Sequence, residues 1–166
     1  MKVILVIPAR WNSKRFPGKP LAKINGTELI KHVWDKAIKA NCFHHAIVAT
    51  DNKKIQNFCL KNNINVILTS VKNRTGTDRV YEVSKKINGD IYVNLQGDEP
   101  LINPKNIKKV VDNLKKNIKY GFEISTAHLV INSLKKLEKS CVYLTKTIND
   151  QVLLVYRDAF WCESIT

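Results

Sequence analysis

The sequence predicts an α/β fold with a mostly parallel, doubly wound sheet covered on both faces. Short apolar runs alternate with segments whose apolar residues recur at helical spacing, in the order strand, helix, strand, helix. That order joins strands through crossover helices, which makes neighbours parallel and buries both faces of the sheet. Size agrees: 166 residues, 44% of them hydrophobic, can form one domain with a real core. Disordered chains lack that apolar content.

Residues 3–7 read as a buried first strand. A lysine before a short apolar run also opens signal peptides. This run is too short for one, lacks a small-residue cleavage site and meets Pro8-Ala9-Arg10. Residues 28–40 read as a helix, with Leu29, Ile30, Val33, Trp34, Ala37 and Ile38 on one stripe. Residues 46–50 are a second strand ending at Asp51. Residues 52–62 are a second helix with Ile55, Phe58 and Cys59 inward, and 66–68 a third strand. Thr75 or Thr77 can cap a helix running to about Lys86, because a hydroxyl satisfies free amides at a helix start. Residues 91–95 form a strand leading into Gln96-Gly97-Asp98-Glu99-Pro100. Pro104 suits the first turn of a helix reaching about Asn117. Residues 124–130 read as another strand, and 141–147 with 151–156 as a hairpin turning at Asn149-Asp150. No repeat, low-complexity segment or linker interrupts the chain, so residues 1–166 read as a single domain.

The net charge of +14 invites a nucleic-acid reading. The lysines are scattered, however. The pairs Lys53-Lys54, Lys85-Lys86, Lys108-Lys109, Lys115-Lys116 and Lys135-Lys136 fall on expected helices, without interleaved aromatics to stack bases. They read as solvated surface, and no nucleic-acid partner is expected. Arg10, Arg15, Arg74 and Arg79 instead concentrate in two segments. Cys42, Cys59, Cys141 and Cys162 form no CxxC pair, and no histidine sits at metal-ligand spacing from them. They read as structural thiols of a reducing, cytoplasmic compartment. No apolar stretch approaches the ~20 residues needed to cross a bilayer, so no membrane partner is expected.

Parallel sheets bind ligands beyond the carboxyl ends of their strands, and three unusual segments fall there. The loop of residues 8–20 carries Arg10, Lys14, Arg15 and Lys19, braced by Pro17, Gly18 and Pro20. It is neither a Walker A loop nor a GxGxxG turn. Its guanidinium and ammonium groups suit a triphosphate, which carries about four negative charges. The competing reading is a solvated basic loop. In Arg74-Thr75-Gly76-Thr77-Asp78-Arg79, the glycine permits close approach of a ligand, and hydroxyls and free amides can meet a base edge or ribose. A capping box explains that segment equally well. In the third segment Asp98 follows a glycine after an apolar strand and suits Mg²⁺, a hard cation. Gln96 can bond a ribose or base. An ordinary turn is the alternative.

Together these segments resemble the 3-deoxy-manno-octulosonate cytidylyltransferase (CMP-KDO synthetase) family. The matching stretches are Ile7-Pro8-Ala9-Arg10, Arg15-Phe16-Pro17-Gly18-Lys19-Pro20-Leu21, Val48-Ala49-Thr50-Asp51, Thr75-Gly76-Thr77-Asp78-Arg79 and Val93-Asn94-Leu95-Gln96-Gly97-Asp98-Glu99-Pro100-Leu101-Ile102. They occur in the family's order and spacing. The Gln-Gly-Asp-Glu-Pro run separates this group from sialic acid activators. The resemblance implies a Rossmann-like three-layer sandwich of the nucleotide-diphospho-sugar transferase type. It implies transfer of CMP from CTP to an acidic eight-carbon sugar with release of pyrophosphate, serving lipopolysaccharide or capsule synthesis. It implies that Arg10 and Lys19 stabilise the triphosphate with help from Arg15. Ala9, Gly76, Thr77 and Gln96 would surround the cytidine, and Asp98 would hold Mg²⁺. Arg10, Lys19 and Asp98 are thus the expected catalytic set, in a homodimer. Two departures stand out. Lys72-Asn73 replaces an Asp-His pair usual in the family. Relatives also continue past position 166, so the chain reads as C-terminally truncated, without the second metal aspartate and most of the sugar pocket. The competing functions are a CTP-binding fragment without turnover, activation of another acidic sugar, and a charge-driven nucleic-acid module.

Overall fold

A computed structural model describes residues 1–12, 16–128 and 142–156, and the apolar start of the chain forms its first strand, β1 (Val3–Ala9). Next come a short hairpin, β2 (Lys23–Ile24) and β3 (Thr27–Glu28), and helix α1 (Leu29–Ala40). Strand β4 (His45–Thr50), helix α2 (Lys53–Lys61) and strand β5 (Val66–Leu68) follow. Helix α3 (Gly76–Ser84), strand β6 (Ile91–Asn94) and helix α4 (Pro104–Asn117) continue the alternation. The last elements are β7 (Tyr143–Lys146) and β8 (Val152–Tyr156). The chain divides into two compact units, residues 1–127 and 128–166.

In the first unit the strand order is β5-β4-β1-β6, and every pairing is parallel. β1 occupies an interior position because residues 3–7 are apolar on both faces and fully buried. Burying each such side chain contributes about 1.5–3 kcal/mol. Leu5, Ile7 and Ala9 pack with α1, α2 and Ile107 of α4 on one face. Ile4 and Val6 meet Val80 and Val83 of α3 on the other. This is the expected three-layer α/β sandwich. The chain winds outward from β1 through β4 to β5, then crosses back to place β6 on β1's other side. A switch point therefore lies between β1 and β6, the place where sheets of this kind bind ligands.

The local chemistry explains the helix ends. Asn52 caps α2 by accepting the Lys54 N–H, and Asn103 caps α4 by accepting the Lys105 N–H beside Pro104. Thr75 rather than Thr77 caps α3, within a reciprocal capping box with Asp78.

Four expectations need correction. Ile38 is exposed and Ala40 is buried, because Ile38 lies one helical step, about 100°, off the buried line through Ala37. α3 stops at Ser84, so Lys85-Lys86 lies just past it. The β2–β3 hairpin was not foreseen. It turns on Asn25 and Gly26, both with positive φ, the pattern that matches strand twist in a two-residue turn. Residues 124–128 form no strand; the remaining two positions of that expected strand, like Cys141 and Lys135-Lys136, lie outside the described residues.

In the second unit β7 and β8 pair antiparallel as the expected hairpin, with Asp150 of the turn at positive φ. Among the described residues, no helix is long and apolar enough to cross a membrane.

Candidate functional site

The loop after β1 is closed at its base. The Gly18 N–H donates to the Trp11 carbonyl at 2.9 Å. Gly18 takes the left-handed conformation, with φ 71°, and the Trp11 indole lies against it; a β-carbon there would sit 3.1 Å from the ring. Gly18 is therefore favoured for its backbone angle, and a β-carbon there would also press on the Trp11 ring. A short 3-10 turn, Lys19–Leu21, then begins with Lys19, and Pro20 is buried. Arg10 is exposed on the other arm of the closure.

Across the switch point, β6 ends and the chain turns through residues 96–99. Gly97 lies against β1's end: a β-carbon there would approach the Pro8 carbonyl oxygen to 2.6 Å. This close approach brings Asp98 beside Lys19, with Asp98 Oδ2 2.6 Å from Lys19 Nζ. Both side chains remain substantially exposed, so the pair is open to a ligand. Desolvation, then the neighbouring Asp98 carboxylate, push the pKa of Glu99 up. Gln96 is exposed, and its carbonyl accepts the Glu99 N–H at 3.4 Å.

Gly76 opens α3 within van der Waals distance of Pro8, 3.4 Å from a β-carbon to the ring, and near Asn94. This puts the α3 N-terminus next to the ends of β1 and β6. Thr77 is exposed there. Ala9 is buried and paired with Thr50, so it can offer a ligand only its backbone. Arg15 lies outside the described residues.

On the other side of β1 is a cleft of about 590 Å³ at the ends of β1, β4 and β5. Its lining includes Arg10, Trp11, Asn12, Lys72 and Arg74. The wall carrying Lys72 is held from below. Glu82 of α3 accepts the Ser70 N–H and the Asn73 side-chain amide, both at 2.8 Å, and Lys86 Nζ at 2.7 Å. The Lys86 ammonium and then the Ser70 amide pull the Glu82 pKa down from 4.5 to about 2. Asn73 is thus tied to the wall, and both it and Lys72 line the cleft.

Arg79, singled out in sequence beside Arg74, does not face this space. It is 2% exposed, donates through Nη2 to Asp51 Oδ2 at 2.9 Å, and bonds Thr69 Oγ1 through Nη1. Asp51 marks a strand end and a family-matching stretch in the sequence, but the sequence assigns it no role. Its other oxygen, Oδ1, accepts the Trp11 N–H at 3.1 Å. The available signal was its place directly after β4, at the carboxyl end of an interior strand.

Comparison with known proteins places the chain in a family. The sequence model of the Cytidylyltransferase family matches residues 4–158. The chain belongs to the cytidylyltransferase family. It is 44% identical over 112 residues to a 3-deoxy-manno-octulosonate cytidylyltransferase of Trichlorobacter lovleyi, covering 68% of this chain and 44% of that one. It is 39% identical over 159 residues to the protein of that name from Haemophilus ducreyi, covering 94% and 61%. Among solved structures, a CMP:2-keto-3-deoxy-manno-octonic acid synthetase complexed with CTP superposes with TM-score 0.85 at 31% identity. That match covers 96% of this cytidylyltransferase chain and 65% of the other. The chain therefore spans about half to two thirds of the length of these relatives.

Proposed function

We propose that this chain carries the nucleotide site of an enzyme that transfers CMP from CTP to an acidic 2-keto sugar, KDO or a close relative, for lipopolysaccharide or capsule synthesis. The observation that carries the proposal is the exposed Lys19–Asp98 pair at the switch point of a cytidylyltransferase fold. In the reaction, the anomeric hydroxyl oxygen of the sugar bonds to the α-phosphorus of CTP. The bond from that phosphorus to the β-phosphate oxygen breaks, pyrophosphate leaves, and the hydroxyl proton passes to solvent. The demand on the protein is alignment and charge stabilisation rather than covalent chemistry.

Arg10 and Lys19, assisted by Arg15, would neutralise the triphosphate, the arginines by bidentate contacts and the lysine as a compact charge. The Ala9 backbone, Gly76, Thr77 and Gln96 would surround the cytidine. Asp98 fits Mg²⁺: it is a hard carboxylate at an exposed strand end. Among the described residues, no group of three His, Cys, Asp or Glu side chains forms an enclosing metal site. A cation held by one carboxylate, phosphate oxygens and water is the mode Mg²⁺ prefers. When bound, it supplies charge neutralisation and lowers the pKa of the attacking hydroxyl. Lys19 and Asp98 satisfy each other in the free chain and would each take an opposite charge from the ligand. We also propose, from chain length and cysteine usage, one domain over residues 1–166 in the cytoplasm, and the homodimer that the sequence resemblance implies.

Because the chain spans only part of its relatives' length, a second reading is CTP binding without turnover. Pyrophosphate release from CTP, KDO and Mg²⁺ by the purified chain, above a control without sugar, is the expected result. Calorimetric CTP binding with no release would favour the second reading. Absence of CTP binding by folded protein would sink both.

A further inference from the structure

The carboxylate of Asp51 divides its two oxygens between two tasks. Oδ2 takes the buried Arg79 guanidinium at 2.9 Å, and Oδ1 takes the Trp11 backbone N–H at 3.1 Å. Arg79 is fixed in turn. Its Nη1 bonds Thr69 Oγ1, and the Thr69 hydroxyl donates to the Thr50 carbonyl at 3.0 Å. Thr50 adjoins Asp51, so the bonds close a ring that joins the ends of β4 and β5 to α3. An ion pair serving stability alone needs no contact with Trp11. Here the ring reaches out of its own elements and grips the loop after β1.

The grip lies where it matters for charge placement. The Trp11 N–H is bound to Asp51, and the Trp11 carbonyl accepts the Gly18 N–H at 2.9 Å. Arg10 precedes Trp11 by one peptide, and Lys19 follows Gly18 by one peptide. The two cations assigned to the triphosphate therefore flank a clamped Trp11–Gly18 base, whatever the intervening residues do. We propose that Asp51 is a positioning residue that, by accepting the Trp11 N–H, anchors the Trp11–Gly18 closure and so presets the placement of Arg10 and Lys19 for a nucleoside triphosphate. The inference rests on the CTP reading above. Preset cations avoid the loss of loop freedom that binding otherwise costs.

Asp51→Ala alone strands a buried guanidinium and would confuse folding with positioning. Two paired variants avoid this. D51N/R79M removes both charges but keeps a side-chain oxygen for the Trp11 N–H. D51A/R79M removes the charges and the acceptor. Each is compared with the natural chain by melting, by CTP calorimetry well below its transition, and by amide hydrogen exchange at Trp11 and Gly18. D51N/R79M should bind CTP within about threefold of the natural chain, and D51A/R79M at least about tenfold more weakly. Exchange at both amides should accelerate only in D51A/R79M. Equal CTP affinities in the two variants would overturn the proposal, even if their melting temperatures differ. So would weakened binding with unchanged exchange. If the natural chain binds no CTP, the nucleotide reading falls, and with it the role given to Asp51; accelerated exchange would then mark the ring as structural only.

Discussion

Gly97 and Gly76 both approach Pro8 of β1, yet they make opposite demands. A β-carbon at Gly97 would meet the Pro8 carbonyl oxygen at 2.6 Å, and backbone on an interior strand cannot move away cheaply. Gly97→Ala should therefore lower stability by about 1–3 kcal/mol, read as a reduced urea midpoint, as overpacking does elsewhere. At Gly76 the same carbon would meet Pro8 at an ordinary 3.4 Å. Gly76→Ala should keep the urea midpoint within about 0.5 kcal/mol and weaken CTP binding, if the cytidine passes close to that backbone. Lys19 and Asp98 form an exposed pair, and such pairs contribute about 0–1 kcal/mol to folding. Lys19→Ala should accordingly leave the melting temperature nearly unchanged and reduce turnover by about 10²-fold, as loss of one charge-stabilising donor does. A large fall in stability with unaltered turnover would count against the assigned role.

At the scale of elements, α3 and the wall of residues 70–73 act together. The Thr75 backbone amide and then its hydroxyl lower the pKa of Asp78, and Glu82 is lowered to about 2 by Lys86 and Ser70. Both carboxylates have folded-state pKa values below their unfolded ones. Their contribution is complete above the unfolded values and is lost as pH falls through the folded ones. For Glu82 that window runs from 4.5 down to about 2. Glu82→Gln should flatten the acid limb of a stability–pH profile across this window. It should also speed amide exchange at Ser70, whose N–H the carboxylate accepts. Thr75→Ala removes the helix cap and should cost about 1 kcal/mol in denaturant unfolding. Little of this coupling could be read from sequence. The cap follows from a local Thr-x-x-Asp spacing, whereas the hold of Glu82 on Ser70 and Asn73 requires α3 to fold back along that wall.

For the whole molecule, 28 basic side chains face 14 acidic ones. Among the described residues, most lysines have no acidic partner within reach, so self-repulsion opposes the compact state. Raising salt from about 0.02 to about 0.3 M, which shortens the screening length from roughly 20 Å to roughly 6 Å, should raise the melting temperature. A flat or falling response would mean that local ion pairs outweigh the net charge. The middle of the sheet is shielded from this surplus, because β1 packs against apolar side chains of α1, α3 and α4.

The sequence by itself determined the alternation of strands and helices, the buried first strand, a threonine cap for α3 and the three segments from which the proposed site is drawn. Each of these follows from nearest neighbours: apolar period, a capping side chain, a proline or a glycine at a turn. It also settled family membership, since Arg10, Gly76 and Asp98 lie in motifs whose order is a property of the chain. Tertiary structure alone decided which of these residues meet. Lys19 and Asp98 are far apart in sequence, and they come within 2.6 Å because β6 pairs beside β1 and Gly97 lets the two backbones close up. Arg74 and Arg79 look equivalent in sequence. One lines the cleft and the other is buried against Asp51, because a five-residue step along a helix start turns a side chain from the rim to the core. Local patterns dictate elements, but the site depends on pairings between distant segments, and those form only when the whole sheet assembles.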